Sequence, residues 1–284
     1  MTGLPLRYSQ APVRLLALED GALVARDDLL ATEAPLDIRV TGGAGPIVTM
    51  RTPGHDLELA LGLLHGEGVI RGRLEVLAID HLPGPDDAVR VVLEPAARAR
   101  AGLLKRSLLA SSACGVCGKT RIDPPDSTDL PPLPAGPRVD MDTLLRLPAI
   151  QRNAQRLFRY TGGLHAAALF DTAGELLALR EDVGRHNALD KLVGWALLRD
   201  LLPLHGHMVL LSGRASYELV QKCVQAAVPI VCAVSAPSSL AVELARRFHI
   251  TLVGFLRDER FNLYSAPERI RGLSGSDVPS AFAR

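Results

Sequence analysis

Apolar and polar positions alternate in regular blocks through the second half of the chain. Short apolar runs at residues 208–211, 229–234 and 250–256 predict strands, and the segments between them, 217–227 and 240–248, have helical periodicity. Strand–helix–strand repeats of this kind predict a parallel sheet with right-handed crossovers. Before these segments, apolar and polar residues alternate at 165–170 and 175–180 on either side of a turn, which predicts a hairpin. Helices are expected at 148–160, ending at Gly162 and Gly163, and around residues 189–197.

The first half of the chain has shorter elements joined by turns. Runs at 35–41 and 46–51 flank a glycine turn and predict a hairpin, and Thr52-Pro53 predicts the start of a helix. Two further strand-like runs, at 74–80 and 88–93, follow that helix. Residues 123–138 contain six prolines, which excludes a helix or a central strand. We therefore expect an α+β lobe over residues 1–122, a linker over 123–138 and an α/β domain over 139–284.

Charge and composition narrow the class of protein. The 284 residues include 32 Lys and Arg against 31 Asp and Glu, and only 4% are aromatic. A net charge of +1 with few aromatic residues argues against a nucleic-acid-binding protein, so any anion site must be local. No apolar run approaches the roughly 18 residues of a membrane helix, and the N-terminus lacks a signal-peptide core. We expect a cytoplasmic protein whose four cysteines are reduced.

Polar loops follow the carboxyl ends of the predicted strands and can form a ligand site. Ligands bind at that edge of open α/β sheets, where helix N-termini present free N–H groups. Arginine beside such N–H groups suits phosphate or pyrophosphate. The alternative is that these loops only cap helices while their arginines are solvated. The loops are residues 181–187, 212–216, 235–239 and 257–260, which carry Arg185, Arg214, Arg257 and Arg260.

The segment SSACGVCGKT at residues 111–120 carries the most reactive chemistry of the sequence. Cys114 and Cys117 lie between glycines and near Lys119, and neighbouring cations lower a thiol pKa and raise its thiolate fraction. A P-loop is rejected because no helix can follow this segment. A thioredoxin-like pair and a zinc half-site are weaker alternatives. The remaining pair, Cys223 and Cys232, lies in apolar surroundings and is expected in the core.

Two histidines raise further alternatives. His65-Gly66-Glu67 upstream of the CxxC resembles the zinc deaminase signature, although His65 falls at a helix end between glycines. Asp182, His186 and Asp190 fall at i, i+4 and i+8 of a predicted helix, so that an imidazole between two carboxylates can act as a base. Satisfied ion pairs on a capped helix are the favoured interpretation of this second pattern.

Taken together and in order, these motifs resemble the formate dehydrogenase accessory protein family, the FdhD-type sulfurtransferases. The resemblance covers roughly residues 33 to 265. It is carried by RTP at 51–53, EGVI at 67–70, CGVCG at 114–118, TGGLH at 161–165, the run 181–191, SGRAS at 212–216, and GFLR at 254–257 with Arg260.

The resemblance implies a specific activity. Members take sulfur from a cysteine desulfurase as a cysteine persulfide and pass it to the molybdenum of the bis-molybdopterin guanine dinucleotide cofactor, which is then inserted into formate dehydrogenase. By this resemblance Cys114 bears the persulfide and Cys117 is its partner. The resemblance also implies a homodimer, no resident metal and a cytidine-deaminase-like three-layer α/β/α fold for the C-terminal domain. The segment assigned to cofactor binding is Phe255, Leu256, Arg257, Asp258, Glu259 and Arg260.

Two other functions remain open from the sequence. A non-catalytic chaperone would bind and deliver the molybdenum cofactor without carrying sulfur. A zinc-dependent nucleobase deaminase would use His65 with Cys114 and Cys117 as ligands.

Overall fold

The structure is a computed structural model that describes residues 9–43, 45–83, 87–103, 109–110, 130–257 and 259–273. Cys114, Cys117 and residues 123–129 of the proline-rich segment lie outside these residues, so the predicted domain boundaries stay predictions. The described residues form a mixed α/β structure with two main sheets. Among its helices, none has the length and apolar character needed to cross a bilayer.

The first half of the chain builds a five-stranded sheet with the order β5-β6-β3-β4-β7. The predicted hairpin is confirmed, because β3 and β4 pair antiparallel from Ala34↔Arg51 to Ile38↔Ile47. Helix α1 begins at Asp56, three residues after the proline that was predicted to open it. The elements are β3 (Ala34–Val40), β4 (Ile47–Arg51), α1 (Asp56–Gly66), β5 (Val76–Leu82), β6 (Ala88–Leu93), α2 (Pro95–Leu103) and β7 (Leu109–Ala110).

The second half builds a six-stranded sheet with the order β10-β9-β11-β12-β13-β14. The parallel arrangement predicted for residues 208–211, 229–234 and 250–256 and the hairpin predicted before them are both confirmed, whereas the last strand of this sheet was not predicted. Only β11, β12 and β13 run parallel, whereas β9, β10 and β14 enter through hairpin-type connections and pair antiparallel. The strands are β9 (His165–Asp171), β10 (Leu176–Asp182), β11 (His207–Leu211), β12 (Ile230–Ala233), β13 (Thr251–Arg257) and β14 (Arg260–Ser265).

Helices cover both faces of this sheet. Alternate strand residues pack on α5 (Arg185–Leu197), α6 (Tyr217–Gln225) and α7 (Ser239–Arg247) on one face. The opposite face packs on α3 (Met141–Ala154) and on the two-residue strands β8 (Val139–Asp140) and β15 (Ile270–Arg271), which pair with each other. The helix predicted at 148–160 is in fact two helices, α3 with Pro148 inside it and α4 (Arg156–Thr161), separated at Gln155.

The two halves meet where α1 crosses α5 at very short distance. A Cβ atom added at Gly62 of α1 would lie 1.8 Å from the Asp190 carbonyl oxygen, and one added at Gly194 of α5 would lie 1.8 Å from the Glu58 carbonyl oxygen. Only glycine permits this approach, because any side chain there would overlap the facing backbone. The first-half core also includes Leu197 of α5, so the helix that starts at the predicted ligand edge is held by both halves.

A two-stranded ribbon precedes both sheets and was not predicted. Strands β1 (Gln10–Glu19) and β2 (Ala22–Ala31) pair antiparallel along their whole length and form a sheet of their own. The two-residue tip, Asp20 and Gly21, has positive φ at both positions, as tight hairpin turns require. The ribbon is anchored at its base, where the Ser9 hydroxyl donates to the Pro53 carbonyl.

Candidate functional site

The predicted polar loops meet at one edge of the six-stranded sheet. The end of β10 pairs with the start of β9 through Asp182 and His165, and the end of β11 lies between β9 and β12. Ala215 of the second loop bridges Pro237 of the third. The fourth loop lies beyond them, at the ends of β13 and β14, where Arg257 pairs with Arg260. The convergence predicted from the sequence is therefore confirmed.

His165 lies at the centre of this edge among positive charges. Burial lowers the pKa of its imidazole, and the charges of Arg185 and Arg214 lower it further, while Asp182 opposes them. The ring lies against the loop that follows β11, since a Cβ at Gly213 would be 3.3 Å from Nδ1. The imidazole is therefore neutral near pH 7 and can both donate and accept one hydrogen bond. The net charge of its surroundings favours an anionic ligand.

A cavity of about 320 Å³ opens beside His165. One wall is a stacked pair, with the Arg152 guanidinium 4.6 Å from the centre of the Phe158 ring. Another is Gln155, which is only 4% exposed. A planar group with polar edges fits such walls, because the ring offers a stacking face and the amide offers both a donor and an acceptor. The lining residues are Arg152, Gln155, Phe158, Gly162, Gly163, Leu164, His165 and Ser212.

Three helices begin at this edge. The N-cap positions of α5, α6 and α7 are Gly184, Ser216 and Ser238, each with extended backbone. The Ser238 hydroxyl accepts a hydrogen bond from the Ala241 N–H at 3.3 Å, whereas the Ser216 hydroxyl accepts none from its helix and Gly184 has no side chain to accept one. Helix starts carry partial positive charge, so they add to the attraction that Arg185 and Arg214 exert on anions.

A buried network fixes the loop that carries Arg185. The Asp182 carboxylate, fully buried, accepts hydrogen bonds from the N–H groups of Thr52 and Gly184 at 3.1 and 2.8 Å and from the Asn187 amide at 3.1 Å. The Lys191 ammonium lies 2.6 Å from the same carboxylate and also donates to the Thr52 carbonyl. The start of α5 is therefore held against the first half of the chain by charge-assisted hydrogen bonds.

The hypothesis of an imidazole between two carboxylates is wrong. Asp182 pairs with Lys191, and Asp190 pairs with Lys222 at 2.7 Å. The His186 imidazole lies 3.2 Å from Glu218 instead. The alternative of satisfied ion pairs is confirmed, because Lys191 neutralises Asp182 and Lys222, on another helix, neutralises Asp190.

The residues that the family resemblance assigned to cofactor binding fall into three groups. Phe255 is half-buried with a positive φ of 52°, and the Arg257 guanidinium lies 6.0 Å from its ring. The side chain of Leu256 is fully buried in the core, so it supports the segment from within. Glu259 and Arg260 are exposed, and Asp258 lies outside the described residues. The assignment itself stays a prediction.

The two cysteines that the structure describes are buried, as predicted. Cys223 and Cys232 are fully buried in the core, and burial raises the pKa of each thiol to about 12, which keeps them inert. Cys114 and Cys117 lie outside the described residues, so their role stays a prediction.

His65 does not have the surroundings of a zinc ligand. Burial and the charge of Lys222 lower the pKa of its imidazole to about 4, and a neighbouring ammonium repels a metal cation. Within the described residues, no group of three or more His, Cys, Asp or Glu side chains is arranged to hold a metal. These observations weigh against the deaminase hypothesis.

Sequence reasoning missed the cavity itself. Arg152 lies on α3, Phe158 lies on α4 and Gln155 lies at the break between them, where the sequence predicted one continuous helix. The TGGLH motif at residues 161–165 contained the available signal, because its last four residues line the cavity.

Comparisons of the sequence and of the structure with known proteins find relatives of one family. The family model described as FdhD/NarQ matches residues 31–271. Proteins named sulfur carrier protein FdhD are 47% identical over 265 residues in Nocardia farcinica, covering 92% of this chain and 95% of that protein, and 43% identical over 275 residues in Mycobacterium tuberculosis, covering 93% and 99%. The crystal structure of a formate dehydrogenase accessory protein from Desulfotalea psychrophila superposes with a TM-score of 0.71 at 27% identity, covering 92% and 99% of the two chains.

Proposed function

Since the chain belongs to the FdhD/NarQ family, we propose that it is a sulfur carrier that serves the maturation of formate dehydrogenase. The observation that carries the proposal is the cationic sheet edge, where Arg185 and Arg214 flank a neutral His165 beside an open cavity. Such an edge suits an anionic, ring-bearing cargo. The cargo proposed is the bis-molybdopterin guanine dinucleotide cofactor of molybdenum, which is the substrate of the transfer and carries both phosphates and purine rings.

The chemistry proposed for Cys114 begins with a cysteine desulfurase. The Cys114 thiolate attacks the terminal sulfur of the desulfurase persulfide, the donor S–S bond breaks, and the donor cysteine leaves as a thiolate. Cys114 then carries the sulfur as its own persulfide. Attack of the Cys117 thiolate on Sγ of Cys114 forms a disulfide and releases the carried sulfur as sulfide, with the two electrons coming from the two cysteines. The sulfide released in this step is the sulfur that is delivered to the metal.

Several features of the described residues support a binding site for this cargo. Phosphate groups can lie at the starts of α5 and α6 against Arg185 and Arg214, and a planar base can enter the cavity between Phe158 and the Gln155 amide. Exposed Arg257 and Arg260 extend the same edge. We propose that these groups bind and orient the cargo, whereas Cys114 and Cys117 supply the sulfur. We also propose that the C-terminal domain has a cytidine-deaminase-like three-layer α/β/α fold.

Persulfide labelling tests the carrier function directly. After incubation with a cysteine desulfurase and cysteine, we expect the Cys114 peptide to gain one sulfur, about 32 Da, which is lost on reduction. Cys114→Ala abolishes the gain, and Cys223→Ala leaves it unchanged because that thiol is buried. Formate dehydrogenase matured with Cys114→Ala is expected to be inactive. A fully active client would contradict the proposal.

The same cationic edge also suits a chaperone that binds the cargo without chemistry. The two functions differ in one measurement. If the wild-type protein binds guanosine diphosphate but the Cys114 peptide gains no sulfur, the chaperone is the correct function. Binding of the nucleotide is expected to weaken at least tenfold in Arg214→Ala, since one charge-assisted contact to phosphate is worth roughly 1.5–3 kcal/mol.

A further inference from the structure

The Glu181 carboxylate joins the cavity wall formed by Gln155 and Phe158 to the six-stranded sheet. Glu181 lies near the end of β10, and its Oε1 accepts the Phe158 N–H at 2.8 Å while its Oε2 accepts the Leu157 N–H at 3.0 Å. The Arg156 N–H also donates to this carboxylate. These are the first three N–H groups of α4, and such groups have no partner within their own helix. A side chain of the sheet therefore caps the start of α4, where a negative charge is also favoured by the helix dipole.

Helix α4 depends on an attachment of this kind because it is short and does not reach the core. It has six residues, all of which the structure describes, and none of them is buried. A helix of this length is unstable in water without outside support. Its own N-cap residue, Gln155, makes no side-chain cap, and apart from α3 the helix lies against β2 of the two-stranded ribbon. The Glu181 carboxylate therefore fixes α4 to the six-stranded sheet.

The same carboxylate sets the position of the cavity wall relative to the sheet. Gln155 and Phe158 line the cavity from the start of α4, and Ser212 lines it from the end of β11. The Ser212 hydroxyl accepts the N–H of Ala166, which pairs with Glu181 across the sheet. Loss of the carboxylate is therefore expected to let the wall shift while the sheet stays in place.

Asp182, the next residue along β10, supports a different part of the site. Successive side chains of a strand point to opposite faces of the sheet. Asp182 accepts the N–H of Gly184 and so holds the start of α5 beside Arg185, whereas Glu181 holds the start of α4 beside the cavity. A change at Glu181 is therefore expected to affect the ring and the phosphates of a nucleotide differently.

We propose that Glu181 is a positioning residue, which holds α4 so that the cavity binds the planar ring of the cargo and which takes no part in binding the phosphates. The inference rests on the proposed function, because that function supplies the ring that enters the cavity. The attachment of α4 to the sheet does not rest on it, since the hydrogen bonds to Glu181 exist without any ligand.

Separate binding measurements for the two halves of a nucleotide test the inference. Calorimetry of the full-length chain uses guanosine, which has no phosphate, and inorganic pyrophosphate, which has no ring. Glu181→Leu removes both acceptor oxygens, and its guanosine affinity is expected to fall roughly tenfold or more, because charge-assisted hydrogen bonds to α4 are lost. Glu181→Gln keeps one acceptor oxygen, so its guanosine affinity is expected to lie between those of the wild type and Glu181→Leu. Pyrophosphate affinity is expected to be unchanged in both variants.

Glu75→Gln is the matched control for these variants. The Glu75 carboxylate also accepts a backbone N–H, from Arg71 at 2.7 Å, but Glu75 lies neither at α4 nor at the cavity. Both affinities are therefore expected to match those of the wild type.

Hydrogen exchange without ligand tests the attachment of α4 itself. The amides of residues 156–158 are expected to exchange faster in Glu181→Leu than in the wild type, while exchange in α5 stays unchanged. Equal exchange at residues 156–158 in the two proteins overturns the inference.

The binding results separate failure of the inference from failure of the proposed function. If the wild type binds no guanosine, the proposed cargo site fails and the inference fails with it. If the wild type binds guanosine and both Glu181 variants bind it equally well, or lose pyrophosphate as strongly as guanosine, the inference alone is overturned. If Glu181→Leu does not fold, the same comparison in Glu181→Gln decides, since that side chain has nearly the same shape as glutamate.

Discussion

Removal of the Lys191 charge tests whether the buried network holds the cationic edge in place. Lys191 is 1% exposed, and its ammonium lies 2.6 Å from a carboxylate that is fully buried. In Lys191→Met the alkyl chain is retained, but the Asp182 carboxylate keeps only its three hydrogen-bond donors. Breaking one partner from a buried ion pair costs about 3–5 kcal/mol, so we expect the free energy of unfolding to fall by that amount.

Urea unfolding at pH 7 measures this loss, and two further variants interpret it. Arg90→Met breaks an exposed pair with Asp80, whose side chains are 53 and 51% exposed, and is expected to cost less than about 1 kcal/mol. Asp182→Asn combined with Lys191→Met removes both charges and should cost less than the sum of the single changes, because neither partner is left buried alone. If Lys191→Met lowers the free energy of unfolding no more than Arg90→Met does, the buried network does not contribute the predicted stability.

The functional consequence of the same change is predictable. Asp182 fixes Gly184 and Asn187, which border Arg185, so loss of its counter-charge loosens the start of α5. Lys191→Met is therefore expected to weaken guanosine diphosphate binding while the Cys114 peptide still gains sulfur. Calorimetry and mass spectrometry on the same preparation give both results. Unchanged nucleotide affinity in a measurably destabilised variant would show that the edge does not depend on the network.

Three further predictions concern packing, pH and thiol reactivity. Gly62→Ala is expected to destabilise the protein by at least 1–3 kcal/mol in urea unfolding, because the added Cβ would lie 1.8 Å from a backbone atom. Gly102→Ala is the control, since the nearest atom to its Cβ would be 3.6 Å away, and it is expected to be neutral or stabilising. His65 takes up a proton on unfolding at pH values between its ordinary pKa of 6.5 and its folded pKa of about 4, so the free energy of unfolding falls as the pH falls through this window. Between pH 6.5 and about pH 5, the wild type should lose roughly 2 kcal/mol more of this free energy than His65→Gln. Equal losses in the two proteins would contradict the assigned pKa. Cys223 and Cys232 should resist iodoacetamide in the native protein at about pH 8 and react after denaturation, and labelling in the native state would refute their burial.

Local patterns in the sequence were enough to place most elements and the ligand edge. The hairpin of β3 and β4 and the hairpin of β9 and β10 follow from alternating apolar positions around turns, which neighbouring residues alone decide. The four polar loops were predicted to meet because strands in one sheet share their ends. The order of the motifs along the chain, including Cys114 and Cys117, indicated the family that the comparisons then showed.

What the sequence could not supply depended on contacts between distant residues. Lys222 neutralises Asp190 only because α6 folds against α5. Asp182 ends β10 and pairs with Lys191, so it does not occupy the helical position that the spacing assigned to it beside His186. Strand β14 was not predicted, because its antiparallel pairing depends on the turn after β13 and on the space beside that strand, not on its own residues.

The sequence by itself therefore determined the periodic elements, the reactive cysteine motif and the family, since each is written in neighbouring residues or in their order. Tertiary structure alone decided that Gln155 faces a cavity, that Gly62 and Gly194 allow α1 and α5 to touch, and that the leucines near the tip of the β1–β2 ribbon are left exposed. The physical reason is that burial, charge pairing and close approach are properties of surfaces brought together by folding, and no local pattern records which surface another will meet.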